Sequence, residues 1–229
     1  SSAAGKYKFP AAKTMKSAQT LYESGMITYI RTDSVRLSED AVADCRTWLK
    51  DNGHDIPNKP MAYATNKAAQ DAHEAIRPTD VNLTPKNVLL SEDDQKIYTL
   101  IWERFVACQM NPAVYDNMIV TVDSSSGHTL KANGRILRYK GWLEIANDFD
   151  DEDADDSDVK LPLLKKSDVV VLVPPKVKAD QKFTKPPSRF TEKTLIKELE
   201  SRRIGRPSTY AAIMGKITHK DYVLKKSNA

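Results

Sequence analysis

The sequence predicts a mixed α and β, multi-domain protein, and three observations support this fold class. Apolar residues recur at helical spacing over residues 1–113. Short runs rich in Val, Ile, Thr and Tyr are typical of residues 114–183. Helical patterns return after a stretch with paired prolines, within residues 184–229. We therefore expect a helical domain, a β-rich segment and a helical C-terminal segment.

The first two helices have clear ends. Residues 11–24, with Tyr22 on the apolar face, are followed by Gly25, a residue type that commonly ends helices. Ser38 can cap a second helix that ends near Gly53.

Two more helices are expected in this domain. Residues 66–77 place apolar residues four apart and stop before a proline, which cannot continue the helix. Ser91 and Asp94 then form a capping-box-like start to a strong helix. The apolar face of that helix contains Ile97, Leu100, Ile101, Phe105 and Cys108.

The β-rich segment is expected to form antiparallel strands. Turns are expected at residues 124–127 and at Gly134, and the acidic stretch 147–158 is expected to be a disordered loop. The strands are expected at residues 118–122, 128–132, 135–139 and 168–173.

Before the C-terminal helices, paired prolines should keep residues 183–190 extended. Thr191 can cap one helix, and Ser208 can cap a second helix after the turn at residues 204–207. With its strand-like continuation at residues 220–226, this segment also resembles a helix-turn-helix.

The charge distribution favours a polyanionic partner. The chain has a net charge of +4, but residues 147–158 contain eight acidic groups and no basic group. The rest of the chain therefore has 23 acidic against 35 basic residues, a balance of +12. A solvated surface with an incidental acidic loop would give the same charges. No apolar run approaches the roughly 20 residues of a membrane helix, so no membrane partner is expected.

Cysteine usage fits a reducing, cytoplasmic compartment. Cys45 and Cys108 fall at apolar positions of expected helices, so buried free thiols are the simplest expectation. No cysteine and histidine cluster has zinc spacing, and no metal site is expected in this chain. The first residues lack the apolar stretch of a signal peptide.

Residues 27–34, ITYIRTDS, carry the most informative pattern. In an extended segment, Tyr29, Arg31 and Asp33 share one side. A phenolate can attack phosphorus, and a guanidinium can bind phosphate oxygens as a fork and stabilise the transition state. Asp33 can orient Arg31 or cap the following helix. The same pattern also occurs in edge strands, where the tyrosine ring only packs and the charges pair.

A second motif, HEAIRPT at residues 73–79, offers a cationic pair. On a helix, His73 and Arg77 are four apart and project from the same face, where they can bind a phosphate. Thr79 adds a hydroxyl group. The alternative is a neutral histidine bonded to a carbonyl beside a solvated arginine.

A third motif, IGRPSTY at residues 204–210, places polar groups at a helix N-terminus. Free backbone N–H groups there attract phosphate, and Arg206, Ser208 and Thr209 can add side-chain donors. Ordinary turn chemistry at Gly205 and the following proline is the alternative interpretation.

These three motifs resemble those of the type IA DNA topoisomerases, in particular the bacterial topoisomerase I branch. AQTLYESGMITYIRTDS is similar to the family's active-site motif, HEAIRPT to a second motif, and FTKPPSRFTEKTLIKELESRRIGRPSTYAAI to a third. Their order and spacing agree over nearly the whole chain. Topoisomerase III relatives usually have proline where this sequence has Ile30, which favours the topoisomerase I branch.

The resemblance implies a role for each matched residue. Tyr29 is implied to be the nucleophile that forms a 5′-phosphotyrosyl bond, with Arg31 beside the scissile phosphate. The family often has Arg-Gly where this sequence has Lys220 and Asp221, so Lys220 is left outside the expected site. The implied DNA-binding residues are His73, Arg77, Arg206, Ser208 and Thr209.

The resemblance also implies an architecture and an activity. Residues 1–113 would be the tyrosine-bearing domain of a torus, residues 114–183 part of its arch, and residues 184–229 part of a base that binds single-stranded DNA. The intact enzyme would be an ATP-independent isomerase that cleaves one strand, passes another and reseals, relaxing negatively supercoiled DNA. It would be a cytoplasmic, nucleoid-associated monomer acting on single-stranded or underwound DNA.

Mg²⁺ is implied for the full enzyme only. The family holds this ion in a toprim domain, whose acidic motif we do not find in this sequence. The chain is therefore expected to be an internal fragment that binds no metal and does not relax DNA alone.

Two other functions remain open from the residues themselves. One is a non-catalytic module that binds single-stranded DNA, and the other is a helix-turn-helix regulator centred on residues 191–223. A covalent adduct between Tyr29 and DNA would separate the topoisomerase from both.

Overall fold

A computed structural model describes most of the chain and confirms a mixed α and β protein. The described ranges are residues 2–63, 73–146, 161–162, 164–171, 181 and 183–226. The chain divides into two compact units. The first contains Ser1–Pro112, Gly141–Asp150 and Phe190–Ala229, and the second contains Ala113–Lys140 and Asp151–Arg189. The division into three domains stays a prediction.

The first unit is helical in its described part. Ser38, Ser91 and Thr191 each accept a hydrogen bond from a backbone N–H in the first turn of the helix that follows, which confirms the three predicted caps. The helices are α1 Ser2–Tyr7, α2 Ala11–Glu23, α3 Glu39–Asp51, α4 Glu92–Ala107, α5 Glu192–Ser201 and α6 Pro207–His219, with a short 3-10 helix at Gly141–Glu144. None of these helices in the described ranges is long and apolar enough to cross a membrane.

An apolar core joins α2, α3 and α4. Leu21 of α2, Leu49 of α3 and Val106 of α4 are fully buried in it. Ile27 and Ile30, from the segment that follows α2, belong to the same cluster. The backbone around the candidate tyrosine is therefore anchored in the core.

The buried surface of α4 is wider than its sequence pattern predicts. Ile97 and Phe105 are buried as expected, whereas Leu100, Ile101 and Cys108 are only half-buried. Residues 80–90 cover a neighbouring side of the helix, where the Tyr98 hydroxyl donates to the Leu83 carbonyl at 2.6 Å and the Trp102 indole donates to the Val81 carbonyl at 2.9 Å.

The helix predicted over residues 66–77 is wrong for residues 73–77, the part that the structure describes. This stretch has no helical structure and bonds to other segments: the Ala75 N–H donates to the Arg36 carbonyl at 2.7 Å. The proline that follows also disfavours helical geometry at the residue before it. The remainder of the predicted helix lies outside the described residues.

The second unit contains an antiparallel pair, β1 Val114–Asp123 and β2 Thr129–Tyr139. The turn predicted at residues 124–127 is confirmed between them. The turn predicted at Gly134 is wrong, because β2 continues through this residue opposite Met118 of β1. The two strands predicted at residues 128–132 and 135–139 are thus a single strand, β2.

Other predictions for this unit have mixed outcomes. Residues 168–171, the described part of the strand predicted at residues 168–173, form no strand. Residues 183–190 contain neither helix nor strand, as their prolines predict. The acidic stretch 147–158 lies outside the described residues.

The C-terminal helices are attached to the N-terminal ones within the first unit. Glu192 at the start of α5 accepts a hydrogen bond from the Ala11 N–H at 3.0 Å and pairs with Lys225 at 2.6 Å. Burial opposes the charged form of this carboxyl, but these two donors lower its pKa below the ordinary value. The strand-like stretch 220–226 forms turns and irregular structure where it is described.

Candidate functional site

Tyr29 lies on an exposed segment whose backbone is held by neighbouring side chains that are buried in the core. The buried side chains of Ile27 and Ile30 flank it in the core, while the tyrosine itself is 46% exposed. Arg31 and Asp33 are also exposed, and the residues between them are buried or half-buried. This alternation agrees with the predicted extended segment and presents the phenol, the guanidinium and the carboxylate to solvent.

The HEAIRPT motif holds the backbone that precedes the tyrosine. The Thr28 hydroxyl donates to the Ala75 carbonyl at 2.9 Å and accepts from the Arg77 N–H at 3.0 Å. The Thr79 hydroxyl donates to the Gly25 carbonyl at 2.7 Å. Because these bonds satisfy the backbone of both segments, the motif has a structural role that the sequence did not reveal.

A second tyrosine touches the first. The ring of Tyr22, in the last turn of α2, meets the ring of Tyr29 edge-on, with centroids 5.2 Å apart and planes at 61°. Tyr22 is 38% exposed, so its predicted place on the apolar face of α2 is wrong. Gly25, which has a φ of +73°, lies between the two tyrosines in the sequence, where the chain turns after α2.

Asp33 joins the three motifs. Its Oδ2 lies 3.3 Å from Nη1 of Arg206, and its Oδ1 lies 3.8 Å from Nδ1 of His73. That histidine nitrogen is buried and has no hydrogen-bond partner in the described part of the chain. The sequence missed this arrangement: the cap of α3 is Ser38, and no contact between Asp33 and Arg31 is seen within the described ranges.

Arg77 is not part of that group. Its guanidinium forms a fork with the carboxylate of Glu74, with both distances 3.1 Å, and Nη1 donates to the Pro78 carbonyl at 3.0 Å. Nη2 lies 3.4 Å from the Ser38 hydroxyl, and the side chain is only 15% exposed. The non-helical backbone thus replaces the predicted helical pair of His73 and Arg77, and the Arg77 side chain bonds within the protein, while its predicted contact with DNA stays a prediction.

The IGRPSTY motif presents Arg206 at the start of α6. The helix begins at Pro207 with Arg206 as its N-cap residue, so the predicted cap at Ser208 is wrong, since proline is favoured at the first helical position. Thr209 accepts from the Arg206 N–H at 2.9 Å and donates to its carbonyl at 3.0 Å. The Arg206 side chain is 73% exposed, and Ser208 is exposed beside it.

The two thiols are poor nucleophiles. Cys45 is free and buried, and burial raises its pKa to about 12. Cys108 is free and half-buried, and burial also raises its pKa. The expectation of a buried free thiol is confirmed for Cys45. In the part of the chain that the structure describes, no three histidine, cysteine, aspartate or glutamate side chains are grouped to hold a metal ion.

Comparison with known proteins shows the family. A family model described as DNA topoisomerase matches residues 1–229. The chain is 46% identical over 218 residues to DNA topoisomerase 1 of Haemophilus influenzae and 47% identical over 218 residues to that of Escherichia coli K12. In each case the match covers 94% of this chain and 24% of the relative.

A solved structure has the same fold. Full-length topoisomerase I from Thermotoga maritima superimposes with a TM-score of 0.79 at 31% identity, covering 98% of this chain and 37% of that protein. The chain spans 24% of the length of the two curated relatives.

Proposed function

Because this chain belongs to the DNA topoisomerase family, we propose that it supplies the nucleophile of a type IA enzyme of the bacterial topoisomerase I branch. The whole protein relaxes negatively supercoiled DNA without ATP. The family match over residues 1–229 favours this function over a binding module or a helix-turn-helix regulator.

The proposed reaction starts at Tyr29. Its phenolate oxygen attacks the phosphorus, the bond to the 3′ oxygen breaks, and that oxygen leaves as a 3′-hydroxyl after taking up a proton. The 5′-phosphate stays on the tyrosine. The reverse attack by the 3′-hydroxyl reseals the strand, and the phosphotyrosyl bond conserves the energy of the phosphodiester.

The observation that carries the proposal is the setting of Tyr29. The phenol is exposed on a backbone that Ile27 and Ile30 anchor in the core, so a strand can reach it without unfolding the unit. A preorganised nucleophile of this kind lowers the entropic part of the barrier.

Two arginines and one histidine are proposed to hold the DNA. Arg31 is exposed, and no ion pair of its side chain is found within the described ranges, so its fork is available to the scissile phosphate. Arg206 and His73 bind neighbouring phosphates, assisted by the exposed hydroxyl of Ser208. Thr209 positions the backbone of Arg206.

The Mg²⁺ of the whole enzyme is proposed to bind outside this chain. Asp33 carries an exposed carboxylate on the tyrosine segment, but the Arg206 guanidinium and Nδ1 of His73 already face its oxygens, an arrangement that does not suit a dication. We expect the 229-residue chain alone not to relax plasmid DNA. Its partner is single-stranded or underwound DNA, and the whole protein is proposed to be a cytoplasmic monomer at the nucleoid.

The test uses Tyr29→Phe in the full-length protein, with Tyr22→Phe as the matched control. A single-stranded oligonucleotide labelled at its 3′ end would transfer its label to protein when cleaved. We expect no labelled protein from Tyr29→Phe, labelled protein from Tyr22→Phe, and nearly unchanged oligonucleotide binding by both. Labelled protein from Tyr29→Phe would refute the assignment.

A further inference from the structure

We propose that Asp33 is a positioning residue. Its carboxylate pairs with Arg206 in the DNA-free protein and is displaced from Arg206 when a DNA phosphate binds there. The inference rests on the proposed function. It adds that the Asp33 carboxylate competes with a DNA phosphate for Arg206. The competitor and the nucleophile Tyr29 lie on one exposed segment.

The geometry places a carboxylate where a phosphate oxygen would bind. Asp33 Oδ2 lies 3.3 Å from Nη1 of Arg206, and the arginine side chain is 73% exposed. Carboxylate and phosphate oxygens offer the same charge and similar acceptor geometry to a guanidinium. Arg206 is held at its backbone by Thr209, so its side chain can exchange partners while its Cα stays in place.

The strength of the contact suits such an exchange. An exposed ion pair with a single short contact is weak and screened by salt. DNA offers a row of phosphates and releases counterions when they are neutralised, so it can displace one carboxylate. By contrast, Arg77 forms two bonds to Glu74 and is 15% exposed, which leaves it no comparable freedom.

His73 gives the exchange a second partner. Its Nδ1 is 3.8 Å from the other oxygen of Asp33 and has no hydrogen-bond partner in the described residues. When a DNA phosphate binds Arg206, the carboxylate of Asp33 can move closer to Nδ1 of His73. The loss of one contact is then compensated next to the tyrosine segment.

The experiment is a double-mutant cycle in the full-length protein. Asp33→Asn, Arg206→Gln and the double variant are compared for binding of a single-stranded oligonucleotide, without Mg²⁺ and at two salt concentrations. We expect Asp33→Asn to tighten binding about twofold to fivefold, the range of an exposed ion pair. The gain should disappear in the Arg206→Gln background and shrink at high salt.

Two controls separate this role from others. Asp44→Asn removes one exposed negative charge from α3 and should leave affinity nearly unchanged. Asp33→Ala should depend on Arg206 in the same way, which covers the case in which one variant folds poorly. Persistence of the Asp33→Asn gain without Arg206, or weaker or unchanged binding by Asp33→Asn, would overturn the proposal.

The proposed nucleophile is measured separately, as protein labelling by the cleaved oligonucleotide. If Asp33 and Arg206 show no coupling in oligonucleotide binding but Tyr29 is still labelled, only the proposed competition by Asp33 is refuted. Absence of labelling at Tyr29 with the coupling intact refutes only the proposed chemistry.

Discussion

The HEAIRPT and IGRPSTY motifs both pair an arginine with a carboxylate, yet the two arginines are in opposite situations. Arg77 is 15% exposed and gives its donors to Glu74, Pro78 and Ser38. Arg206 is 73% exposed and makes one contact with Asp33. We propose that the first arginine stabilises the fold around the tyrosine segment and that the second gives its remaining donors to DNA. A basic residue in a motif of this kind can be either an anchor or a ligand contact.

The largest expected effect concerns Arg31, compared with Arg206. Arg31→Ala should lower single-turnover cleavage about 100-fold or more, because its charge acts on the transition state. Arg206→Ala should instead weaken oligonucleotide binding and reduce the slope of affinity against salt by about 1. Cleavage and binding are measured for both variants in the full-length protein. Identical behaviour of the two variants would show that this division of roles is mistaken.

A smaller effect is expected at Arg77. Arg77→Ala leaves the half-buried carboxylate of Glu74 without its partner and should lower the free energy of unfolding by about 2 kcal/mol. Thermal unfolding measures this loss, with Glu74→Ala as the matched variant and the double variant as a test of coupling. If Arg77→Ala weakened DNA binding and left the melting temperature unchanged, Arg77 would be the phosphate contact that the family resemblance implies.

The elements that the sequence predicted well depend on local chemistry. Ser38, Ser91 and Thr191 cap helices through bonds that close within one turn, so their neighbours in the sequence suffice. The turn at residues 124–127 is equally local. Helix starts and tight turns were therefore predictable without any tertiary information.

The errors arise where distant segments decide the outcome. Residues 73–77 have a helical pattern, but their backbone bonds go to residues far along the chain. Glycine is typical of turns, but Gly134 lies inside a strand because β2 pairs with β1 on both sides of it. Asp33 and Arg206 are 173 residues apart in the sequence, and no spacing rule connects them. The motifs proposed the site residues, which stay a prediction, while the contacts between them required the fold.

The central claim, that Tyr29 carries the DNA, is tested most directly by locating the phosphate in the trapped adduct. Trypsin should release residues 17–31 as one peptide that contains both Tyr22 and Tyr29. After nuclease digestion of the adduct formed by the full-length protein, fragmentation mass spectrometry can assign the remaining 5′-nucleotide to one ring. The account predicts the nucleotide on Tyr29 and an unmodified Tyr22. A nucleotide on Tyr22, or on any peptide other than residues 17–31, would contradict it.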